Sequence, residues 1–580
     1  MRRIMLGRLF IGFLLASLAD AATIRGASVK SGDLCDSQIY CQGELLKTIQ
    51  LARLYEDSKT FVDMSQLHDP EVTLSNFQKL MKETNNNPNA TQLREFIKEN
   101  FSAEAELENW SPTDWTKSPK ILNRIQDPNF REWLEDLNLI WKKLSRKVKK
   151  EVSENPSRHS LIYVENGFIA PGGRFTEYYY WDSYWIIEGL LLSDMHQTAK
   201  GMILNFLYLV KTYGFIPNGG RVYYLMRSQP PLLIPMVDRY LEYTNDHRFL
   251  YEIIGILEKE FAYWQRDHAI EVEKNGVTYK MSRYIVSSDG PRPESYSEDY
   301  VLAQGKSEDE RNSYYEDIKA AAESGWDFSA RWFITSNGAK GNLTNMATRY
   351  IIPVDLNAFL QKNARLLSEF QLKLGNIAKS RYYEDIAKEY QVAIDNVLWN
   401  EEKGIWLDYD IKNKKQRDIF YPTNLTPLYT KSYDISRSRE YADKMVNYLN
   451  SIGIIDYMGG TPTSLDPTGE QWDYPNAWPP LQSIIVKGLH ETGWEPATSL
   501  AKELATRWLR ANHAGFLTYG QMCEKYDAVK PGECGGGGEY QVQAGFGWTN
   551  GVVFELLDLY SSVTSTDSET IVACKDCVDR

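Results

Sequence analysis

Once its first two dozen residues are passed, this chain has no long apolar run. A helix crossing a bilayer needs about 20 consecutive apolar residues, so no spanning segment is expected in the folded part. An excess of positive charge is missing as well. The net charge of −13 argues against a nucleic-acid or anionic-membrane partner. Histidine is scarce, with seven in 580 residues, and the one Cys-x-x-Cys pair, Cys574 and Cys577, has no second pair, so a zinc site is not expected. Four glycines stand at 535–538, but no Gly-x-x-x-x-Gly-Lys-Ser/Thr pattern accompanies them, and Glu539 would repel a phosphate. A calcium loop starting at Asp408-Tyr409-Asp410 fails, because Asn413 and Ile419 replace the turn glycine and the bidentate glutamate. No metal and no cofactor are expected. Period-two alternation is rare, which leaves sheet a minor part of the fold.

The chain is rich in aromatic rings: 16 Trp and 37 Tyr in a globular composition of 43% hydrophobic and 25% charged residues. Most of these rings fill the core. Flat faces with polar tips are also what a sugar-binding cleft needs. Arg2, Arg3 and Arg8, an apolar run over 9–18, and Ala19-Asp20-Ala21 read as a signal peptide at 1–21. Secretion makes disulfides available to the six cysteines, and Cys35 with Cys41, Cys523 with Cys534 and Cys574 with Cys577 are the near pairs. The second pair is expected to close a loop around Glu524. Sequons at Asn89, Asn100, Asn109, Asn342 and Asn424 accord with secretion, Asn109 being the poorest because Pro112 follows its Ser111. The last residues are polar, and 561–580 is expected to be a tail without a lipid-anchor signal.

Helical spacing recurs along the chain. Residues 43–55 carry it, and 74–150 read as charged and helical around a loop at 85–88. Phe249, Ile253, Leu257 and Phe261 share one face. So do Leu360, Ala364, Leu367, Phe370 and Leu374, after an expected N-cap at Asp355, and then Ile386, Tyr390, Ala393 and Val397. Further helices are expected at 198–213, 436–449, 481–491, 497–510 and 550–561. Paired helices joined by long glycine- and aromatic-rich loops, with no Pro/Ser linker across 150–560, predict an all-α toroid of helical hairpins whose loops form one pocket. One domain over 22–560 is the expected unit.

Chemistry is expected in those loops. Asp327 stands between Trp326 and Phe328, beside Gly325. Packing a carboxyl against rings raises its pKa and suits it to donate a proton. Glu524, in Cys523-Glu524-Lys525-Tyr526-Asp527, is the counterpart, expected to stay ionised beside Lys525 and the Tyr526 hydroxyl. Two carboxyls in opposed settings suit acid/base hydrolysis of a glycosidic bond. Two further stretches alternate rings with hydrogen-bonding groups. One runs Pro171-Gly172-Gly173-Arg174 through Trp181-Asp182, the other Gln471-Trp472-Asp473-Tyr474-Pro475-Asn476-Ala477-Trp478. Taken singly, each reads as a turn with buried aromatics.

Together with Asp57 to Met64, Asn218, Arg227-Ser228-Gln229-Pro230-Pro231, Arg292-Pro293-Glu294-Ser295-Tyr296, Gly535 to Tyr540 and Gly545 to Gly551, these stretches resemble the trehalase family, most closely its secreted insect members. The resemblance covers most of 57–555. It implies an (α/α)6 barrel that hydrolyses α,α-trehalose to two glucose molecules with inversion. By the same resemblance Asp327 is the general acid and Glu524 the general base. Arg174, Trp181, Asp182, Asn218, Arg227, Ser228, Gln229, Arg292, Pro293, Glu294 and Gly325 belong to the sugar site, and Glu539 to a glycine-rich lid. Trehalose is neutral, so the three arginines are expected to donate to hydroxyls and to help hold the base deprotonated. Two alternatives stay open: another inverting glucosidase on the same toroid, and a sugar-binding protein without turnover.

Overall fold

The computed structural model describes residues 34–335 and 341–566. The expected signal peptide, Cys574 with Cys577, and most of the polar tail lie outside the described residues. No helix among the described residues is long and apolar enough to cross a membrane.

Among the described residues, twelve helices alternate in chain order between an outer and an inner position. The outer set is α1 (Pro128–Leu144), α3 (His196–Tyr213), α5 (His247–Asp267), α7 (Ile377–Ala393), α9 (Ser438–Ser451) and α11 (Glu495–Tyr519). The inner set is α2 (Asp182–Leu192), α4 (Leu233–Thr244), α6 (Val354–Lys373), α8 (Thr426–Thr430), α10 (Pro479–His490) and α12 (Gly547–Leu559). Each inner helix packs on the next, α2 on α4, α4 on α6 and onward to α12, which returns to α2 and closes the ring. This is the expected (α/α)6 barrel.

Burial separates the two sets. Outer α1 shows one apolar stripe, Phe130, Trp133, Leu134, Leu137, Ile140, Trp141 and Leu144, as a half-buried helix must. Its start is fixed by Pro128 at the first helical position and by Asp127, whose carboxylate accepts from the Phe130 N–H at 2.9 Å. Inner α2 is buried along its whole length. Such a helix has no polar face and therefore no period, which is why the stretch over 182–192 does not announce itself as a helix. The closing contact of the ring needs glycine. A Cβ on Gly551 of α12 would lie 1.9 Å from the Trp185 carbonyl oxygen of α2, and one on Gly189 would lie 2.9 Å from the Gly551 Cα.

Two expectations are corrected. Residues 74–150 are not one helical stretch: helices Pro70–Glu83 and Ala90–Asn100 are followed by short strands and loops until α1. Asp355 is not an N-cap. Pro353 holds that position, and the Asp355 carboxylate lies in the first turn of α6, paired with both terminal nitrogens of Arg331 at 2.9 and 2.8 Å. Sheet is a minor part of the fold, as expected, and its longest piece, not singled out in the sequence, is the antiparallel hairpin Ala269–Lys274 with Val277–Ser282. Its turn is Asn275-Gly276, both at positive φ, and that dipeptide is the signal that could have found it.

The segment before α1 has its own small apolar cluster, with Phe61, Phe77, Phe96 and Phe101 inside it, and rests on Tyr179, Tyr223 and Tyr224 at the barrel mouth. Replacing Gly551 by Ala is expected to destabilise the protein by at least the roughly 1–3 kcal/mol typical of overpacking. Thermal unfolding checks it: Tm falls, whereas an unchanged Tm would mean that α2 and α12 part easily.

Candidate active site

The loops at one end of the barrel enclose a narrow cleft. Its empty space, counted to the open mouth, is about 700 Å³. Arg174, Trp181, Asp182, Asn218, Arg227, Gln229, Arg292, Glu294, Gly325, Asp327, Glu524 and Glu539 all line it. Ser228 and Pro293 do not. Ser228 is buried behind the wall, its N–H donating to Glu323 at 3.0 Å and its hydroxyl to the Ile216 carbonyl at 2.6 Å. The Pro293 carbonyl accepts from Gln50 at 2.9 Å. These two shape the backbone that carries their neighbours.

Asp327 follows the helix Glu308–Glu323, which ends in a left-handed turn at Gly325 (φ 79°). A side chain there is blocked twice over, because a Cβ would also lie 2.6 Å from the Trp181 ring. Trp326 turns inward and stacks on Trp472, which stacks on Trp478 with centroids 3.8 Å apart. Phe328 lies under the Arg292 guanidinium, 4.8 Å from its ring centroid. The Asp327 carboxyl keeps part of its surface toward the cleft. Burial pushes its pKa up to about 7; Arg292 opposes the rise and Glu539 adds to it.

Glu524 is pinned more firmly. Its N–H donates to the Gln543 carbonyl at 2.9 Å, and its own carbonyl accepts from the Trp548 indole at 3.0 Å. The Cys523–Cys534 disulfide closes the loop as expected, and Cys35–Cys41 also forms. The carboxylate accepts from the Tyr540 hydroxyl at 2.8 Å and from the Gln543 N–H at 3.2 Å. The expected tyrosine was the wrong one: the Tyr526 hydroxyl faces back and accepts from the Cys523 N–H at 3.1 Å. Burial also raises the Glu524 pKa above its ordinary value. Lys525, Tyr540, the Gln543 N–H and Arg174 oppose that rise. Four groups thus favour the charged form against burial.

Arg174 is the arginine among the strongest influences on Glu524, and Arg292 and Arg227 are among those on Asp327. Gly172 and Gly173, both at positive φ, make the turn that presents Arg174. Its guanidinium pairs with Asp57 at 2.7 Å and lies 4.7 Å from the Tyr540 ring centroid. Arg227 donates to Asn218 at 2.9 Å and to Glu294 at 2.6 Å. Arg292 binds Asp299 at 2.7 Å and reaches across the mouth to Glu539 at 2.9 Å. Each fork is thus fixed by a carboxylate, and Arg174 Nε, Arg227 Nη1 and Glu294 Oε2 are buried with no hydrogen-bond partner among the described residues. Buried groups with spare hydrogen-bonding capacity suit a hydroxyl-rich ligand. Burial, with the Glu524 and Asp327 charges, pushes Asp182 up to about 8, so three carboxyls in one cleft resist ionising together.

Sequence reading had not placed Lys59, Tyr179, Tyr224, Tyr540 and Trp548 on the wall. Lys59 lay within a stretch already singled out, but its ion pair with Glu177 at 2.8 Å, more than a hundred residues on, is not visible in that stretch. Nothing in the Glu524 loop pointed to Tyr540.

Comparison with known proteins fits this geometry. Residues 53–561 match the trehalase family. The chain is 60% identical over 556 residues to a trehalase of Pimpla hypochondriaca, covering 96% of this chain and 95% of that protein. It is 48% identical over 528 residues to the human trehalase, covering 91% and 90%. Among solved structures it resembles the neutral trehalase of Saccharomyces cerevisiae, with TM-score 0.56 and 25% identity over 68% of this chain and 74% of that one.

The raised Asp182 pKa makes a prediction about stability. A carboxyl that ordinarily titrates near 3.9 and reaches about 8 only in the fold favours folding at acid pH, and that advantage is lost progressively as pH rises between the two values. Asp182→Asn is therefore expected to raise stability, with a gain that grows from pH 5 to pH 8 by at most about 1.4 kcal/mol per unit. Urea unfolding at the two pH values measures it, and an equal gain at both would contradict it.

Proposed function

The chain belongs to the trehalase family, and from that premise we propose that it cleaves α,α-trehalose by direct displacement, Asp327 giving a proton to the bridging oxygen and Glu524 taking one from the attacking water. The observation that carries the reading is the joint placement of these two carboxyls, one on each of two distant loops, in a single narrow cleft walled by tryptophan and arginine.

Trehalose is an acetal with no good leaving group, so the departing oxygen must be protonated as the bond breaks. An acid with a pKa of about 7 holds its proton at neutral pH and can still release it. Water on the opposite face needs a base that is ionised, and Glu524 has the Tyr540 hydroxyl, a backbone N–H and two cations to keep it so. For inversion the two carboxyls stand about 6.5–9.5 Å apart, leaving room for the water. The arginine forks, already fixed by their carboxylate partners, hold the sugar hydroxyls without reorganising. Glu539 and Tyr540, on the glycine-rich turn across the mouth, shield the cleft from bulk water.

Residues 22–560 form the working unit in this reading, exported after removal of 1–21, a setting in which both disulfides are stable. Asn89 and Asn342 are exposed and open to glycosylation, whereas Asn100 and Asn424 are buried. Glycopeptide mapping is expected to find no glycan on either buried asparagine.

Asp327→Asn and Glu524→Gln are each expected to lower kcat about 10²–10⁴-fold with the fold intact. Near-normal turnover in either variant removes that residue from its role, and faster cleavage of maltose than of trehalose would reassign the substrate. The pH profile of kcat/KM should fall on its basic side near 7, where Asp327 loses its proton. Tyr540→Phe removes a donor to the ionised base, so the Glu524 pKa rises and the acid limb moves to higher pH. An unmoved acid limb would contradict the role given to that bond.

A further inference from the structure

One side chain touches the Asp327 loop, the Glu524 loop and the glycine-rich turn without lining the cleft. Gln471 is buried, and its amide N–H donates to the Asp327 backbone carbonyl at 2.5 Å. Its amide oxygen accepts from Lys525 Nζ at 2.9 Å, next in sequence to Glu524. Its own backbone carbonyl accepts from the Trp478 indole at 2.8 Å. The glycine-rich turn packs on it so closely that a Cβ on Gly538 would lie 2.7 Å from the Gln471 Cβ. Lys525 Nζ also reaches the Gly537 carbonyl at 3.4 Å and sits 4.9 Å from the Trp478 ring centroid.

We infer that Gln471 is a positioning residue: its amide, held by Lys525, is the strut that sets the spacing between the acid loop and the base loop and ties both to the glycine-rich turn. The inference rests on the assignment of Asp327 and Glu524 above. An amide is the side chain that can do this, because it donates on one side and accepts on the other. Leucine fills the same space and offers neither. A carboxylate keeps the lysine but turns an acceptor toward the Asp327 carbonyl, where two oxygens repel. The distance between two reacting groups is worth about 10²-fold in rate per ångström of misplacement, so a small strut has a large effect.

The test compares Gln471→Leu, Lys525→Met, their double variant and Gln471→Glu, acting on trehalose, with Tm measured for each and Glu524→Gln as control. Each single change to Leu or Met is expected to lower kcat about 10²-fold with KM within about threefold. The double variant should be no worse than Lys525→Met alone, because Gln471 acts through the bond that change already removes, and the loss of the Lys525 charge beside Glu524 is common to both. In Gln471→Glu the new carboxyl can donate to the Asp327 carbonyl only when protonated. Its kcat relative to wild type should therefore rise as the pH falls through the carboxyl range, about 4.3 for a free glutamate; Lys525 moves that rise to lower pH, and the Glu524 and Asp327 charges that act on Lys525 move it back up. Three results would overturn the inference: Gln471→Leu within threefold of wild type, single effects that multiply, or a Gln471→Glu ratio flat with pH. If Gln471→Leu fails to fold, the near-isosteric Gln471→Glu decides alone. Retained turnover in Glu524→Gln would instead defeat the assignment of the base and leave the Gln471 measurements standing.

Discussion

The site depends on one clamp, the stretch over 471–478, which holds the acid loop on one side and the base loop on the other. Toward the acid, the Asp473 carboxylate accepts from the Ser329 hydroxyl at 2.9 Å and the Ala330 N–H at 2.8 Å, and the Trp472 N–H donates to the Phe328 carbonyl at 3.0 Å. Toward the base, Asn476–Ala477 pairs as a short antiparallel ladder with Tyr526–Asp527, two residues beyond Glu524. Backbone and carboxylate hydrogen bonds of this kind are short and directional. They let two loops far apart in sequence keep a separation that chemistry requires. The barrel supplies the rigid footing: Arg331, buried and paired with Asp355 of α6 and with Asp408, anchors the acid loop from behind.

The clamp makes an electrostatic difference usable. Asp327 is half-buried and Glu524 buried, and both are raised, so burial alone does not assign their roles. The distinction comes from partners. Glu524 accepts two hydrogen bonds and has Lys525 and Arg174 nearby, while no hydrogen bond from another residue reaches the Asp327 carboxyl among the described residues. One group is helped to keep its charge and the other to keep its proton, which is the division that acid/base cleavage of an acetal needs. The cost falls on stability, since Asp182 and Asp327 are held where water would serve them better.

Much of this was legible in the sequence, for reasons that differ by region. Outer helices such as α5, with Phe249, Ile253, Leu257 and Phe261 on one face, show a period because one side meets water. Inner α2 shows none because no side does, and α8 is only Thr426–Thr430, too short for any period to appear. The site residues were legible through the family's ordered motifs rather than through spacing, which is why Asp327 and Glu524 could be named together. What stayed hidden was contact across the chain. Tyr540 replaces Tyr526 beside Glu524, Asp355 serves Arg331 instead of capping a helix, and two of the three arginines act on the acid. Each depends on which face of a loop turns inward, and a linear pattern does not carry that information.

The central claim is that the two carboxyls act on trehalose from opposite faces with a water between them. Proton NMR of the glucose released before mutarotation tests it most directly. The account predicts α- and β-glucose in equal amounts, the α anomer from the departing sugar and the β anomer from the attacked one. Two α anomers would mean retention through a covalent intermediate and would contradict it.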